Sequence, residues 1–203
     1  MLWAIKTQTI RSFRASLKKI IPDAKFICIN RDYRDNYLSV KKTGLLHGIL
    51  PWIIFRWKDS MKKVQELVKK YPEQFYSLRY EDFIDKPDFY LEEICNFIGV
   101  PVSHEMIANY QDNNKTSNMY REKKSEVFHS KIYQPVDPNN KEKWKNELND
   151  DEVMLMDRLA GKTAELAGYE RKFTKYPLRV HIHAIKRILV IRLYLGFKAV
   201  LRF

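Results

Sequence analysis

Cysteine and glycine are both scarce in this chain of 203 residues, which holds two of the first and six of the second. Cys28 and Cys95 each sit inside an apolar stretch, where a thiol acts as a small hydrophobe, so a disulfide scaffold is excluded and a reducing compartment fits. None of the glycines, at 44, 48, 99, 161, 168 and 196, falls in a phosphate-cradling loop near the start of the chain. Long uninterrupted apolar runs are also lacking. Lys6 and Arg11 break the opening MLWAIKTQTIRSF, which excludes a secretory signal core, and a cytoplasmic location is expected. The closing YPLRVHIHAIKRILVIRLYLGFKAVLRF is interrupted by Arg179, Lys186, Arg187, Arg192, Lys198 and Arg202, which excludes a comfortable bilayer span. That segment suits an interfacial helix on an anionic membrane, or a helix docked on the domain or a partner. Docking is favoured, because Arg192 spoils a clean polar face.

What the chain does have is apolar content of 45%, with 13% aromatic residues, enough to offset folding entropy by burial. Its length fits one domain with a sizeable core. Thirty-seven basic against 25 acidic residues give a formal charge of +12, which favours polyanionic partners such as nucleotides, nucleic acids or acidic membranes.

Ile10, Phe13, Leu17, Ile20 and Ile21 recur at helical spacing, and Pro22 with Asp23 breaks the helix they predict. Ala24 to Asn30 is a short apolar run of the kind found in strands buried on both faces. Asp35 or a neighbour can cap a helix running through Ser39 and Val40. Trp57, Met61, Val64, Val68 and Tyr71 mark a second amphipathic helix, stopped by Pro72, ahead of a strand over Phe75 to Tyr80. Trp52 and Trp57 bracket Phe55 and Arg56 and are expected in the core. A third helix starts at Pro87, carries Tyr90, Leu91, Ile94, Phe97 and Ile98, and ends at Gly99 in a left-handed cap. Residues 111–143 are polar without a sustained period and read as a long loop or lid. Asn149 and Glu152 form a capping pair for a helix through Val153, Met156 and Leu159, ended by Gly168. This alternation predicts an α/β sheet with ligands at the carboxyl ends of its strands.

Arg31 stands at such an end. A phosphate site needs a cationic fork, hydroxyl donors and free backbone N–H groups, and a strand running into a helix supplies the last of these. Ser39, about two helical turns on, can bring its hydroxyl to the phosphate held by Arg31. The alternative is a surface charge network of Arg31, Asp32, Arg34 and Asp35. His181 and His183 have no Cys, Asp or Glu nearby to complete a ligand set, so no metal is expected.

The stretch PDAKFICINRDYRDNYLS, Pro22 to Ser39, resembles the sulfotransferase 3′-phosphate motif, in which a strand runs into RDPRDxxxS; here Tyr33 replaces the proline. SLRYEDFIDKPDFYLEEICNFIGV looks like the YEDL segment of that family and its following helix. KEKWKNELNDDE is similar to its Trp-containing segment before a late helix. These matches are collinear and span about Lys6 to Tyr169. The resemblance implies a three-layer α/β domain with a mainly parallel sheet, the P-loop NTPase-like sulfotransferase fold, incomplete at its N-terminal side. It implies a partial sulfotransferase domain over residues 1–170, followed by a basic, apolar helical extension over 171–203. It implies 3′-phosphoadenosine 5′-phosphosulfate (PAPS) as donor, with Arg31 and Ser39 on the 3′-phosphate, Tyr80 near the adenine and Arg34 as a further ligand. The acceptor is a hydroxyl or amine on a carbohydrate, lipid or small molecule.

Some positions depart from the pattern. The Gly/Ser/Thr-rich 5′-phosphosulfate loop of the family is missing. The resemblance puts Lys6 in a catalytic position, yet Gln8 stands where some branches carry a basic His, and a neutral amide is no proton acceptor at pH 7. The family's Arg-Lys-Gly cluster falls near Asp137 to Asn139 and is not present; Lys141 and Lys143 can substitute, or can be solvated loop charges. A non-catalytic remnant that binds a nucleotide or a partner is therefore one alternative reading. A basic protein of nucleic-acid or membrane surfaces, the latter through residues 177–203, is a second; nucleic acid is not expected as a partner.

Overall fold

A computed structural model of the protein describes residues 22–42, 50–103 and 137–200. The helix expected from Ile10 and the loop over 111–136 lie outside the described residues, as does Lys6. In chain order, the described elements are β1 (Phe26–Asn30), α1 (Tyr33–Lys42), α2 (Leu50–Lys70), β2 (Phe75–Arg79), α3 (Tyr80–Asp85) and α4 (Pro87–Ile98). After these come α5 (Trp144–Glu147), α6 (Asp150–Ala160), α7 (Lys162–Leu166) and α8 (Leu178–Val200). The described residues divide into two compact units, one formed by residues 32–42, 50–66 and 144–200 and the other by residues 22–31, 67–103 and 137–143.

The second unit is built on β1 and β2, which pair in parallel with Phe26 opposite Phe75 and Asn30 opposite Arg79. The Phe26 and Phe75 rings stack at 4.7 Å. The strand expected over Ala24 to Asn30 is present, but burial on both faces is not: Ile29 is 55% exposed and Ile27 is also open. A continuous apolar run fits a two-sided strand, yet its alternate residues still point to opposite faces, and here they differ in burial. Cys28 shares the better-covered face, and desolvation pushes its thiol up to about 11. Pro87 opens α4, and Gly99 ends it in the left-handed conformation at φ 87° with its N–H on the Cys95 carbonyl. Glycine adopts that conformation without the Cβ penalty.

The helical unit is held by a buried polar cluster. Asp32 caps α1, its Oδ1 accepting the Arg34 N–H at 2.8 Å. It also grips the Arg34 guanidinium through Nε at 3.0 Å and Nη2 at 2.7 Å. Arg34 lies 3.7 Å from the Trp144 ring centroid and 3.7 Å from Asp157. The Tyr33 hydroxyl and the Phe173 N–H both donate to Asp157, which is fully buried. Burial raises the Asp157 carboxyl above its ordinary range, and its bonds to Tyr33 and Phe173 and the charge of Arg34 pull against that rise. Asp35, also buried, accepts the Trp144 N–H at 3.0 Å and so fixes the start of α5.

Aromatic rings surround this cluster, with Tyr33 at 5.1 Å from Trp57 and Trp57 at 5.9 Å from Tyr169. Trp57 is core, as its spacing predicts, while Trp52 is half-buried and stacks on Phe55. Asn149 and Glu152 form the expected reciprocal capping box of α6. The helix does not run on to Gly168. Gly161, at φ 58° and ψ −150°, occupies a conformation essentially restricted to glycine, ends α6 at Ala160 and starts the separate α7. Val180 and Ala184 are buried where α8 packs on α6, and Arg179 reaches Asp151 at 2.8 Å. Leu178, Ile182, Ile185, Leu189 and Leu193 stay exposed along one row. Among the described residues no helix is long and apolar enough to cross a membrane.

Tyr33→Phe keeps the ring in place but takes a donor from Asp157; urea denaturation should show a loss of about 1–3 kcal/mol, the usual penalty for an under-satisfied buried acceptor. The raised thiol at Cys28 makes a second measurement informative. At pH 8 its thiolate fraction is roughly one in a thousand, so alkylation should be about a hundredfold slower than for an exposed cysteine and should climb until the pH passes 11.

Candidate functional site at the carboxyl edge of the parallel strands

The β1–β2 register decides what stands at the strand exits. Asn30 is opposite Arg79, so Arg31 and Tyr80 are the next residues on neighbouring strands, at the edge where α/β sheets bind ligands. Asn30 reinforces the last pairs by donating from Nδ2 to Ser77 Oγ at 2.7 Å. The Arg31 guanidinium carbon lies 5.0 Å from the Tyr80 ring centroid, within cation–π range.

A turn from far along the sequence closes over this pair. Arg31 Nη2 donates to the Asn140 carbonyl at 2.7 Å, and Asn140 Oδ1 is 3.4 Å from the same nitrogen. The Asn140 Nδ2 donates to the Tyr80 hydroxyl at 3.0 Å. Asp137 shapes the turn: its side chain accepts the Asn139 N–H at 2.9 Å, and its carbonyl accepts the Asn140 N–H at 2.9 Å. That is the local self-bonding that suits Asp to turn starts. One residue therefore touches both the cation and the aromatic ring that sequence reasoning had singled out, and Asn140 was missed. Only the turn-forming DPNN pattern marked its neighbourhood.

The remaining expected ligands fall in different surroundings. Lys141 pairs with Asp85, and Lys143 lies 3.8 Å from Asp137, so both lysines of this turn have acidic neighbours. In the helical unit, Ser39 is exposed on α1. Arg34, expected as a further nucleotide ligand, is instead 3% exposed and engaged by Asp32, Trp144 and the Glu170 carbonyl at 2.9 Å. Its charge is spent inside the core, and it is not counted among the donor ligands. The expected alternative, a surface charge network, is corrected in the same way, because Asp32 and Asp35 are buried too. Among the described residues no group of three or more His, Cys, Asp or Glu side chains is placed to hold a metal ion.

Chemically, this edge offers a half-buried guanidinium oriented by a carbonyl and a ring, beside a phenol ring whose hydroxyl is held in place. Such a fork suits a phosphate oxygen pair, and a fixed ring suits a planar base. Two substitutions separate the contributions within the cluster. Tyr80→Phe keeps the ring against Arg31 and should cost about 0.5–1.5 kcal/mol in urea denaturation, one hydrogen bond. Tyr80→Ala removes the cation–π contact as well and should cost measurably more.

Comparison with known proteins locates this edge. No curated protein matches the chain. The model of the Sulfotransferase family matches residues 6–105, a span that takes in Lys6, Arg31, Arg34, Ser39 and Tyr80 and stops short of Lys141 and Lys143. Over that span, just under half of its length, the chain is similar to the sulfotransferase family.

Proposed function

We propose that this chain binds 3′-phosphoadenosine 5′-phosphosulfate at the β1–β2 carboxyl edge and acts in transfer of its sulfuryl group to a hydroxyl or amine. The observation that carries this reading is the meeting of Arg31 and Tyr80, two motif positions 49 residues apart in the matched span, at adjacent strand exits. Arg31 would hold the 3′-phosphate and Tyr80 would lie against the adenine. Ser39 joins the phosphate site on the motif alone. The three-layer α/β sulfotransferase fold with its mainly parallel sheet belongs to the same proposal, and the parallel pair of β1 and β2 is consistent with it.

In the transfer, the acceptor oxygen or nitrogen forms a bond to sulfur while the bond from sulfur to the 5′-phosphate oxygen breaks. The nucleotide leaves with that electron pair, and the acceptor proton passes to a base. Cations stabilise the charge that develops on the leaving group, a role that suits Lys6 by its place in the motif. Gln8 cannot serve as the base, because an amide does not take up a proton at pH 7.

Calorimetry with 3′-phosphoadenosine 5′-phosphate tests the site without knowledge of the acceptor, and adenosine 5′-phosphate serves as the control lacking the 3′-phosphate. Arg31→Ala should cost about 2–5 kcal/mol of binding, the usual loss when one partner of a close charge pair is removed. The control should bind weakly to both proteins. Ser39→Ala should cost about 1 kcal/mol, one neutral donor. Equal affinity of wild type and Arg31→Ala for the bisphosphate would overturn the reading. Nucleotide binding without sulfuryl transfer to any acceptor would favour the non-catalytic alternative.

A further inference from the structure

A second concentration of positive charge lies within the helical unit, where α2, the α6–α7 break and the start of α8 surround an open cleft of about 660 Å3. Lys58, Arg158, Lys162, Arg171 and Lys175 line it, and no carboxylate does. Glu165 neutralises Arg171 from outside the lining, at 2.6 Å. The other four cations have no carboxylate partner among the described residues. Lys58 donates to the Leu159 carbonyl at 3.0 Å, and Arg158 Nε donates to His181 Nδ1 at 3.1 Å.

Lys58 and Arg158 are only half-exposed, and a cation partly withdrawn from water gains more from a nearby opposite charge than one on the open surface does. Burial first, then the neighbouring charges of Lys62 and Arg158, hold the Lys58 ammonium below its usual value, as mutual repulsion requires. The conformation of Gly161 ends α6 beside Lys58, whose Nζ would lie 3.7 Å from a Cβ added there. The cleft also takes in His181 from the first turn of α8, the positive end of a 23-residue helix dipole. The cationic side chains and the helix start add positive potential, and no carboxylate of the lining supplies a counter-charge.

We infer that this cleft is a binding site for a small, multiply charged oxyanion carrying phosphate or sulfate esters, separate from the Arg31 edge and independent of its function. An anion seated there supplies the counter-charge that the fold withholds from Lys58 and Arg158, and the exposed Lys162 and Lys175 contact it from the rim.

The test uses the full chain carrying Arg31→Ala, with inorganic pyrophosphate as the phosphate probe and a trisulfated disaccharide as the sulfate probe, each followed by calorimetry and thermal unfolding. Saturable binding with a rise in Tm is expected for at least one probe, and the tighter one identifies the ester class. Adding Lys162→Ala and Lys175→Ala, both exposed and so compatible with folding, should weaken binding by about tenfold or more. The inference is overturned if neither probe saturates, if the lysine variants bind with unchanged affinity, or if sodium chloride at equal ionic strength reproduces the Tm shift.

Discussion

Five residue pairs in parallel register, from Phe26 with Phe75 to Asn30 with Arg79, bring Arg31 and Tyr80 to the same edge, and the rest of the candidate site is built on that pair. A parallel pair cannot be closed by a tight hairpin, so the chain must leave β1 and travel through α1 and α2 before β2 begins. Both strands then end at the same edge. A slip of the register by one residue would turn every side chain to the opposite face and separate Arg31 from Tyr80. The stacked Phe26 and Phe75 rings at one end and the Asn30–Ser77 hydrogen bond at the other resist such a slip. The site is thus a consequence of strand pairing first and of side-chain chemistry second.

The helical unit solves a different problem with the same means. Arg34, Asp32, Asp35 and Asp157 are ionisable groups placed where water cannot reach them, a costly arrangement unless every charge is bonded. Burial works against the Arg34 charge, and the bidentate bond to Asp32 with the surrounding negative groups more than offsets it. Asp157 receives a hydroxyl from α1 and a backbone N–H from beyond α7, and Arg34 reaches the Glu170 carbonyl. The bonds from Tyr33 and Arg34 join segments more than a hundred residues apart. Replacing them by hydrocarbon would keep the core but lose the direction that polar bonds impose on the entry and exit of α1.

The legible parts of the fold were those whose cause is local. The Gly99 cap, the Asn149–Glu152 box and the Trp57 face each follow from residues within a turn or two of one another, and spacing reports such geometry directly. Arg31 and Tyr80 were legible for a related reason, since a motif fixes a residue's place relative to its own strand. Asn140, the burial of Arg34 and the break at Gly161 were not. Asn140 meets Arg31 across 109 residues of chain, and periodicity carries no record of a partner at that distance. A sequence such as RDYRD looks solvated because charged residues usually are, and only the arrival of Asp157 and Trp144 makes its interior placement tolerable. Gly161 follows apolar positions that fit one long helix, and its role rests on a backbone angle that no periodic count detects.

The excess of basic residues gains meaning from where the acids are. Across the described residues many lysines and arginines have near carboxylates: Lys41 with Glu152, Lys42 with Glu147, Lys141 with Asp85, Lys172 with Asp150 and Arg179 with Asp151. Such exposed pairs contribute little to stability, but they flatten the local potential. A net charge of +12 spread evenly in this way would make a protein that is merely basic. The potential rises instead where acids are withheld, as along the cleft of Lys58, Arg158, Lys162 and Lys175. A half-buried cation without a counter-ion costs the folded state free energy, so its placement points to an anion that binds there and recovers that cost.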